Sequence, residues 1–360
     1  MNHLLEVREF GQRIWLDNLT RGLIADGALQ RMIDEDGLAG ITTNPSIFHK
    51  AIADSAYYRE DMERLKASEL SSEQRYEALA IPDIQAACDL LRPVYEASGG
   101  EDGYVSLEVS PHLAHDEAGT ILAADRLAGA VQRDNLLVKI PATPVGVAAV
   151  EKLIGKGHKI NVTLIFSVKH YRAVAEAYLR GLQQWVWSGG DPRRVKSVAS
   201  LFLSRTDATV DQRLEAIGSP EALLLRGQAA VAVAKVAYRH YWERFHGKEF
   251  WDLHRAGARP QNLLWASTGT KNSAYSDVLY VESLIGPETV NTMPDGTLKA
   301  FRDHGHSEAT LKDGFPAAEN HLFQLRELGI DVDAAVGEEL QKDGLKSFAR
   351  AFDGLLALMG

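Results

Sequence analysis

Lys139 sits in an otherwise apolar run, Leu136-Leu-Val-Lys-Ile140, and Pro141 closes that run directly afterwards. Burying an ammonium is costly unless it is paired, and a buried amine relieves that cost by giving up its proton. A neutral amine at the end of a strand is a nucleophile able to form a Schiff base with a carbonyl. Taken alone, the same lysine reads first as a strand end whose head group reaches back to solvent.

The other short apolar runs also end in polar groups: Asp17, Thr42-Thr43-Asn44, Glu108, Thr163, Ser200 followed by Arg205, and Ser267 followed by Lys271. Each is ordinary by itself, since polar residues cap and turn strand ends. Together they supply the parts of a carbonyl chemistry. Glu108 can move protons while a carbinolamine forms and loses water, or can serve as the ion-pair partner of Lys139. Thr163 can hold a water between them. Asp17 offers a second carboxylate as acid or base for a sugar hydroxyl, or a cap for the residues from Asn18 onward. Asn161, on the same strand face as Thr163, offers donor and acceptor groups to polyol hydroxyls. Asn44 precedes Pro45-Ser46 and also reads as a helix cap. At the opposite pole, Arg205 and the turn Ser267-Thr-Gly-Thr-Lys271 combine hydroxyls, backbone amides and two cations, the parts of a phosphate site.

Such a set works only if several strands end at one place. Runs rich in β-branched residues fall at 13–17, 38–43, 104–109, 136–140, 160–165, 195–202, 262–267 and 289–293, with helical periodicity between them. Strand and helix alternating eight times predicts parallel pairing through right-handed crossovers and closure into an α/β fold, the (β/α)8 TIM barrel. Extra helices are expected after strand 6, about 207–250, and at the C-terminus, about 307–359, the latter as helices 307–328 and 332–359. No low-complexity linker divides the chain, so residues 1–360 are read as a single barrel domain. Leu345, Phe348, Phe352 and Leu355 form an apolar stripe that either packs outside the barrel or returns over its mouth.

Composition narrows the partners. The net charge is −10, from 39 basic and 49 acidic residues, which argues against nucleic acid or an anionic membrane as the main partner. The longest nearly apolar stretch, 229–237, is interrupted by Lys235 and too short for a bilayer. The first fifteen residues carry no signal-peptide core, so a cytoplasmic location is expected, as a monomer or homodimer. One cysteine, Cys88, excludes disulfide scaffolds and cysteine-rich zinc sites and reads as a buried apolar residue. Gly155-Lys-Gly-His-Lys159 lacks the spacing of a phosphate-binding loop. His112, His115, His304 and His306 have no accompanying ligand set, and no metal is expected. Tyr238, Tyr241, Trp242, Phe245, Phe250 and Trp251 read as core packing for the inserted helices.

Four blocks, Gly40-Ile-Thr-Thr-Asn-Pro-Ser46, Val105-Ser-Leu-Glu-Val109, Leu137-Val-Lys-Ile-Pro-Ala142 and Ile160-Asn-Val-Thr-Leu-Ile-Phe-Ser167, resemble in sequence and order the signature blocks of the transaldolase family. The likeness runs from about Phe10 to Pro294 and is closest to the longer bacterial and plant-like branch. It implies one α/β barrel with no metal or organic cofactor, acting on sugar phosphates of the pentose phosphate pathway. By that resemblance Lys139 is the Schiff-base lysine and Asp17 the acid and base for the hydroxyl at the broken bond. Glu108, with Thr163 and a water, moves protons at the imine. Asn44, Asn161 and Ser200 hold a dihydroxyacetone unit, and Arg205 and Ser267 bind phosphate. The implied donors are fructose 6-phosphate or sedoheptulose 7-phosphate, and the acceptors erythrose 4-phosphate or glyceraldehyde 3-phosphate. Gly269 stands where many members carry an arginine, and Lys271 is the nearest cation to replace it. The rivals are an aldolase that releases the three-carbon unit and a barrel that binds sugar phosphate without chemistry. Related aldolases lack a glutamate at the Glu108 position and have tyrosine in place of Phe202, so both residues favour the transferase.

Overall fold

The computed structural model describes residues 2–360. Eight parallel strands close into a barrel in sequence order. They are β1 Gln12–Leu16, β2 Gly40–Thr42, β3 Tyr104–Glu108, β4 Leu136–Pro141, β5 Ile160–Ile165, β6 Ser197–Phe202, β7 Asn262–Ala266 and β8 Thr289–Met293. Closure is made by β1 against β8, from Gln12 opposite Thr289 to Leu16 opposite Met293. The (β/α)8 barrel expected from the alternating runs is therefore present. Strand residues are buried on both faces, because helices cover the outside and side chains fill the inside.

Register explains how distant polar residues come to one level. Glu108 lies opposite Lys139, and Lys139 lies opposite Asn161. Thr163, two residues further along the same face, lies opposite Pro141 at the end of β4. Lower in the barrel, Trp15 fills the interior against Gly40, where a Cβ would come within 2.4 Å of the indole. Only glycine fits there.

Local signals set the helix starts. Thr143 caps the helix Pro144–Ile154 through the Gly146 amide, and Ser71 with Gln74 makes a capping box for Ser72–Ala97. After β6 the chain runs through Ser204–Ile217, Pro220–Leu223, Ala229–Phe245 and Lys248–Arg255. Ser219 caps the second of these by accepting from the Ala222 amide. Asp207 accepts from the Ala230 amide and Tyr280 hydroxyl, and Asp211 from the Gly227 amide and Tyr275 hydroxyl. These carboxylates fasten the insertion to the segment after β7.

Two expectations need correction. Residues 307–314 are not helical; the helix is Phe315–Glu327. The Thr310 and Leu311 amides donate to Ile285 O, and Leu311 packs on Gly286, so this stretch is held as a strap across the loop before β8. Helix begins only after Gly314, which has φ +72°. Two of the aromatics assigned to the core are also not there: Trp251 is exposed, and Trp242 lies partly exposed beneath the Lys312 ammonium. Cys88 is buried. The last segment is one π turn, Val332–Val336, followed by the helix Gly337–Met359. No helix among the described residues is long and apolar enough to cross a membrane.

Candidate active site

A cavity of about 70 Å³ opens at the C-terminal ends of the strands, lined among others by Asp17, Asn44, Lys139, Ser200, Phe202 and Arg205. Lys139 is 4% exposed and donates to Thr43 O at 3.0 Å. Its Nζ lies 3.5 Å from Glu108 Oε2. Burial pushes the Glu108 carboxyl up to about 7, against the pull of the neighbouring Lys139 charge. Both readings of Glu108, proton carrier and ion-pair partner, fit one geometry. Glu108 Oε2 and Thr163 Oγ1 are buried atoms on the strands either side of β4, and neither has a hydrogen-bond partner among the described residues.

Asp17 follows β1, and its amide donates to Met293 O. Its Oδ1 accepts from the Thr42 hydroxyl at 2.8 Å, and Thr42 lies 2.7 Å from the Thr292 hydroxyl. Burial raises the Asp17 carboxyl above the usual range, opposed first by the Lys139 charge and then by the Thr42 bond. The capping alternative is overturned, because the next helix, Arg21–Ala25, is capped by Thr20. Asn44 combines a helix cap with a place on the cavity wall. Its Oδ1 caps Pro45–Asp54 at the Ile47 amide, and the residue also lines the cavity.

Asn161 is fixed from both sides. Its Nδ2 donates to Ser106 Oγ at 3.0 Å, and its Oδ1 accepts from Ser200 at 2.7 Å. Arg205 enters the cavity from the first turn of Ser204–Ile217, with its guanidinium carbon 5.7 Å from the Phe202 ring centre and 6.0 Å from that of Phe348. Burial lowers its proton affinity, and no carboxylate among the described residues lies within ion-pair range of it. An unpaired, half-buried guanidinium calls for an anion. Ser267 holds φ +54°, uncommon for a residue with a Cβ, and its hydroxyl is 2.9 Å from Ser204 Oγ.

The structure does not bring Lys271 into this cavity. Its side chain lines a neighbouring one of about 230 Å³ with Asp207, Asp211, Tyr275 and Tyr280. It is near enough to Arg205 that, after partial burial, that charge also lowers its proton affinity. Missed in the sequence were Thr292 and Ser204, which touch Thr42 and Ser267 only once the barrel closes. The apolar stripe of the last helix does return to the mouth: Phe348 lines the cavity, its ring centre 5.8 Å from Lys139 Nζ. Phe352, one turn on, packs against Tyr76 on the outside.

Fold and cavity define a class of protein, the eight-stranded (β/α)8 barrel with a lysine-centred cavity at the C-terminal strand ends. The chain belongs to the Transaldolase/Fructose-6-phosphate aldolase family, whose model matches residues 14–359. It is 54% identical over the full length of both chains to the transaldolase of Thiobacillus denitrificans. It is also 45% identical to that of Neisseria gonorrhoeae, covering 99% of each chain. Transaldolase 1 of Streptomyces coelicolor is 44% identical over 98% of this chain and 93% of its own.

Proposed function

We propose that the chain is a transaldolase. It moves a dihydroxyacetone unit from a ketose phosphate such as fructose 6-phosphate or sedoheptulose 7-phosphate to an aldose phosphate such as erythrose 4-phosphate. The observation that carries this reading is the buried Lys139, beside Glu108, lining one cavity with Asp17 and with Arg205, which has no carboxylate partner among the described residues.

In this reading the Lys139 amine attacks the donor ketone and gives a carbinolamine. Glu108, titrating near neutrality, supplies the proton with which the former carbonyl oxygen leaves as water. Thr163 holds that water between the two strands. Asp17 takes the proton of the hydroxyl beside the bond to be broken, and the aldose phosphate departs. The electron pair left on the three-carbon unit delocalises into the protonated imine. An incoming aldehyde accepts that pair, Asp17 returns the proton to its oxygen, and water hydrolyses the imine to free the new ketose phosphate and Lys139. Asn44, Asn161 and Ser200 hold the three-carbon hydroxyls, while Arg205 and Ser267 take the phosphate.

Transfer demands that the intermediate outlast the departure of the first product. Phe348 above Lys139 supports that by keeping bulk water from the imine. The test is borohydride reduction in the presence of fructose 6-phosphate, followed by peptide mass analysis. A reduced adduct on the Lys139 peptide is expected; an adduct elsewhere, or none, overturns the mechanism. Rapid donor consumption without any acceptor would instead identify an aldolase.

A further inference from the structure

Gln341, on the helix Gly337–Met359, touches the barrel mouth and has no part in the chemistry above. It is 5% exposed, and its Nε2 donates to Ala142 O at 2.9 Å and to Leu164 O at 3.1 Å. Those carbonyls belong to the residues directly after Pro141 and Thr163, which face each other across β4 and β5. The Ala142 amide in turn donates to Thr163 O at 2.7 Å. One side-chain amide thus bridges both strand ends next to the lysine.

The β5 end is not a regular strand. Leu164 has φ +58°, and pairing with β6 shifts register between Val162 and Ile165. A leucine in the left-handed region is strained and persists only where its surroundings hold it. A bulge at such a place re-aims the side chain beside it, and that side chain is Thr163. Further along the same helix, a Cβ on Gly344 would come 3.0 Å from Leu164 Cδ2, so the helix lies directly on the bulge. Two turns from Gln341, Phe348 reaches over Lys139.

We infer that Gln341 is a positioning residue: by tying Ala142 O and Leu164 O to the last helix, it fixes the bulge that aims Thr163 and sets Phe348 above Lys139. The inference rests on the Schiff-base reading. A glutamine suits the place because one amide nitrogen carries two protons for two carbonyls. A methionine of similar length keeps the volume and leaves both carbonyls without that donor.

The test uses fructose 6-phosphate carrying ¹⁸O at the ketone. Each imine formed releases the labelled oxygen as water, and rehydration returns a solvent oxygen. Enzyme-dependent loss of label therefore reads imine formation and reversal apart from bond cleavage. Gln341→Met is expected to slow exchange and kcat together by about 10–100-fold. KM for the donor is expected to stay within about twofold, since ground-state contacts are untouched. Acceptor-independent donor consumption should rise relative to transfer, because Phe348 is less firmly held. Exchange and the consumption-to-transfer ratio both at the parent's values overturn the inference. So does a loss of rate that only follows a loss of folded protein. Where Gln341→Met does not fold, Gly344→Ala, which crowds the same Leu164 contact, is read by the same assays. If the parent protein shows neither exchange nor a Lys139 adduct, the Schiff-base reading itself has failed, and the role of Gln341 falls with it.

Discussion

In the proposed reaction Glu108 has to hold a proton in a place where a carboxylate would ordinarily be ionised. Its burial outweighs the attraction of Lys139, so the carboxyl titrates at about 7. The rate consequence has a definite sign: above that pH the proton needed to expel water from the carbinolamine is lost, and imine formation slows. Glu108→Gln should lower kcat by about 100-fold or more, the usual span for a proton-transfer group, and abolish the alkaline fall near pH 7 in the exchange rate. A pH profile that keeps its break in the variant assigns the break to another group. Arg205 and Lys271 can be separated in the same way. Arg205 faces the cavity without a partner, so Arg205→Gln should lower kcat/KM for sugar phosphates by about 10–100-fold, as expected for losing a charged hydrogen bond. Lys271 lines the adjacent cavity, and Lys271→Ala should change it by no more than about threefold. A large Lys271 effect would mean that the loop 268–278 closes over bound phosphate.

Among the elements, the helix Pro45–Asp54 shows how closely fold and site are joined. Asn44 caps it with one side-chain atom while lining the cavity. Asn44→Ala should therefore cost about 1 kcal/mol of stability as a lost cap and also weaken donor binding, whereas Asn44→Asp should keep the cap. Recovery of the melting temperature without recovery of KM in Asn44→Asp is the expected signature. Elements of this kind were readable because their signals are local: β-branched runs, Thr143 before Pro144, Ser219 before Pro220. Asp17, Glu108 and Lys139 stood out in the sequence because each interrupts or ends a short apolar run, and Asn161 because it shares a strand face with Thr163. What could not be read depends on register between distant strands. Nothing in the local sequence announces that Leu164 adopts φ +58°, that Thr42 bonds Asp17, or that a glutamine two hundred residues from β4 and nearly as far from β5 closes their ends. The strap before Phe315 was not readable for a related reason, since its backbone amides are claimed by Ile285 O on the far side of β8 instead of by its own turn.

For the whole molecule, buried titrating groups pull stability in opposite directions across neutral pH. Burial raises Glu108 to about 7 and Asp207 to about 6, so the folded state binds their protons more tightly than the unfolded chain does. Their contribution is complete below the ordinary carboxylate range and is lost as pH rises through about 6 to 7. Burial also lowers His158, His170, His240 and His321 below the ordinary imidazole range, so each favours the folded state only when neutral. Their contribution is complete above the unfolded imidazole value of about 6.5 and is lost as pH falls through their depressed values. A chain of net charge −10 adds self-repulsion on the alkaline side. Below about pH 7 the two slopes oppose each other: the carboxyl fall begins at the ordinary carboxylate range and is complete by about pH 7, while the imidazole rise ends only above about 6.5. Asp207→Asn combined with Glu108→Gln should remove that fall, so that melting temperature climbs more steeply with pH than in the parent between about 4 and 7 and is unchanged in slope above it. His321 has its Nε2 buried with no partner among the described residues, so His321→Leu should flatten the imidazole-driven rise alone. An unchanged slope between about pH 4 and 7 in the carboxyl double variant would place the sensitivity in surface charge instead of in these buried carboxyls.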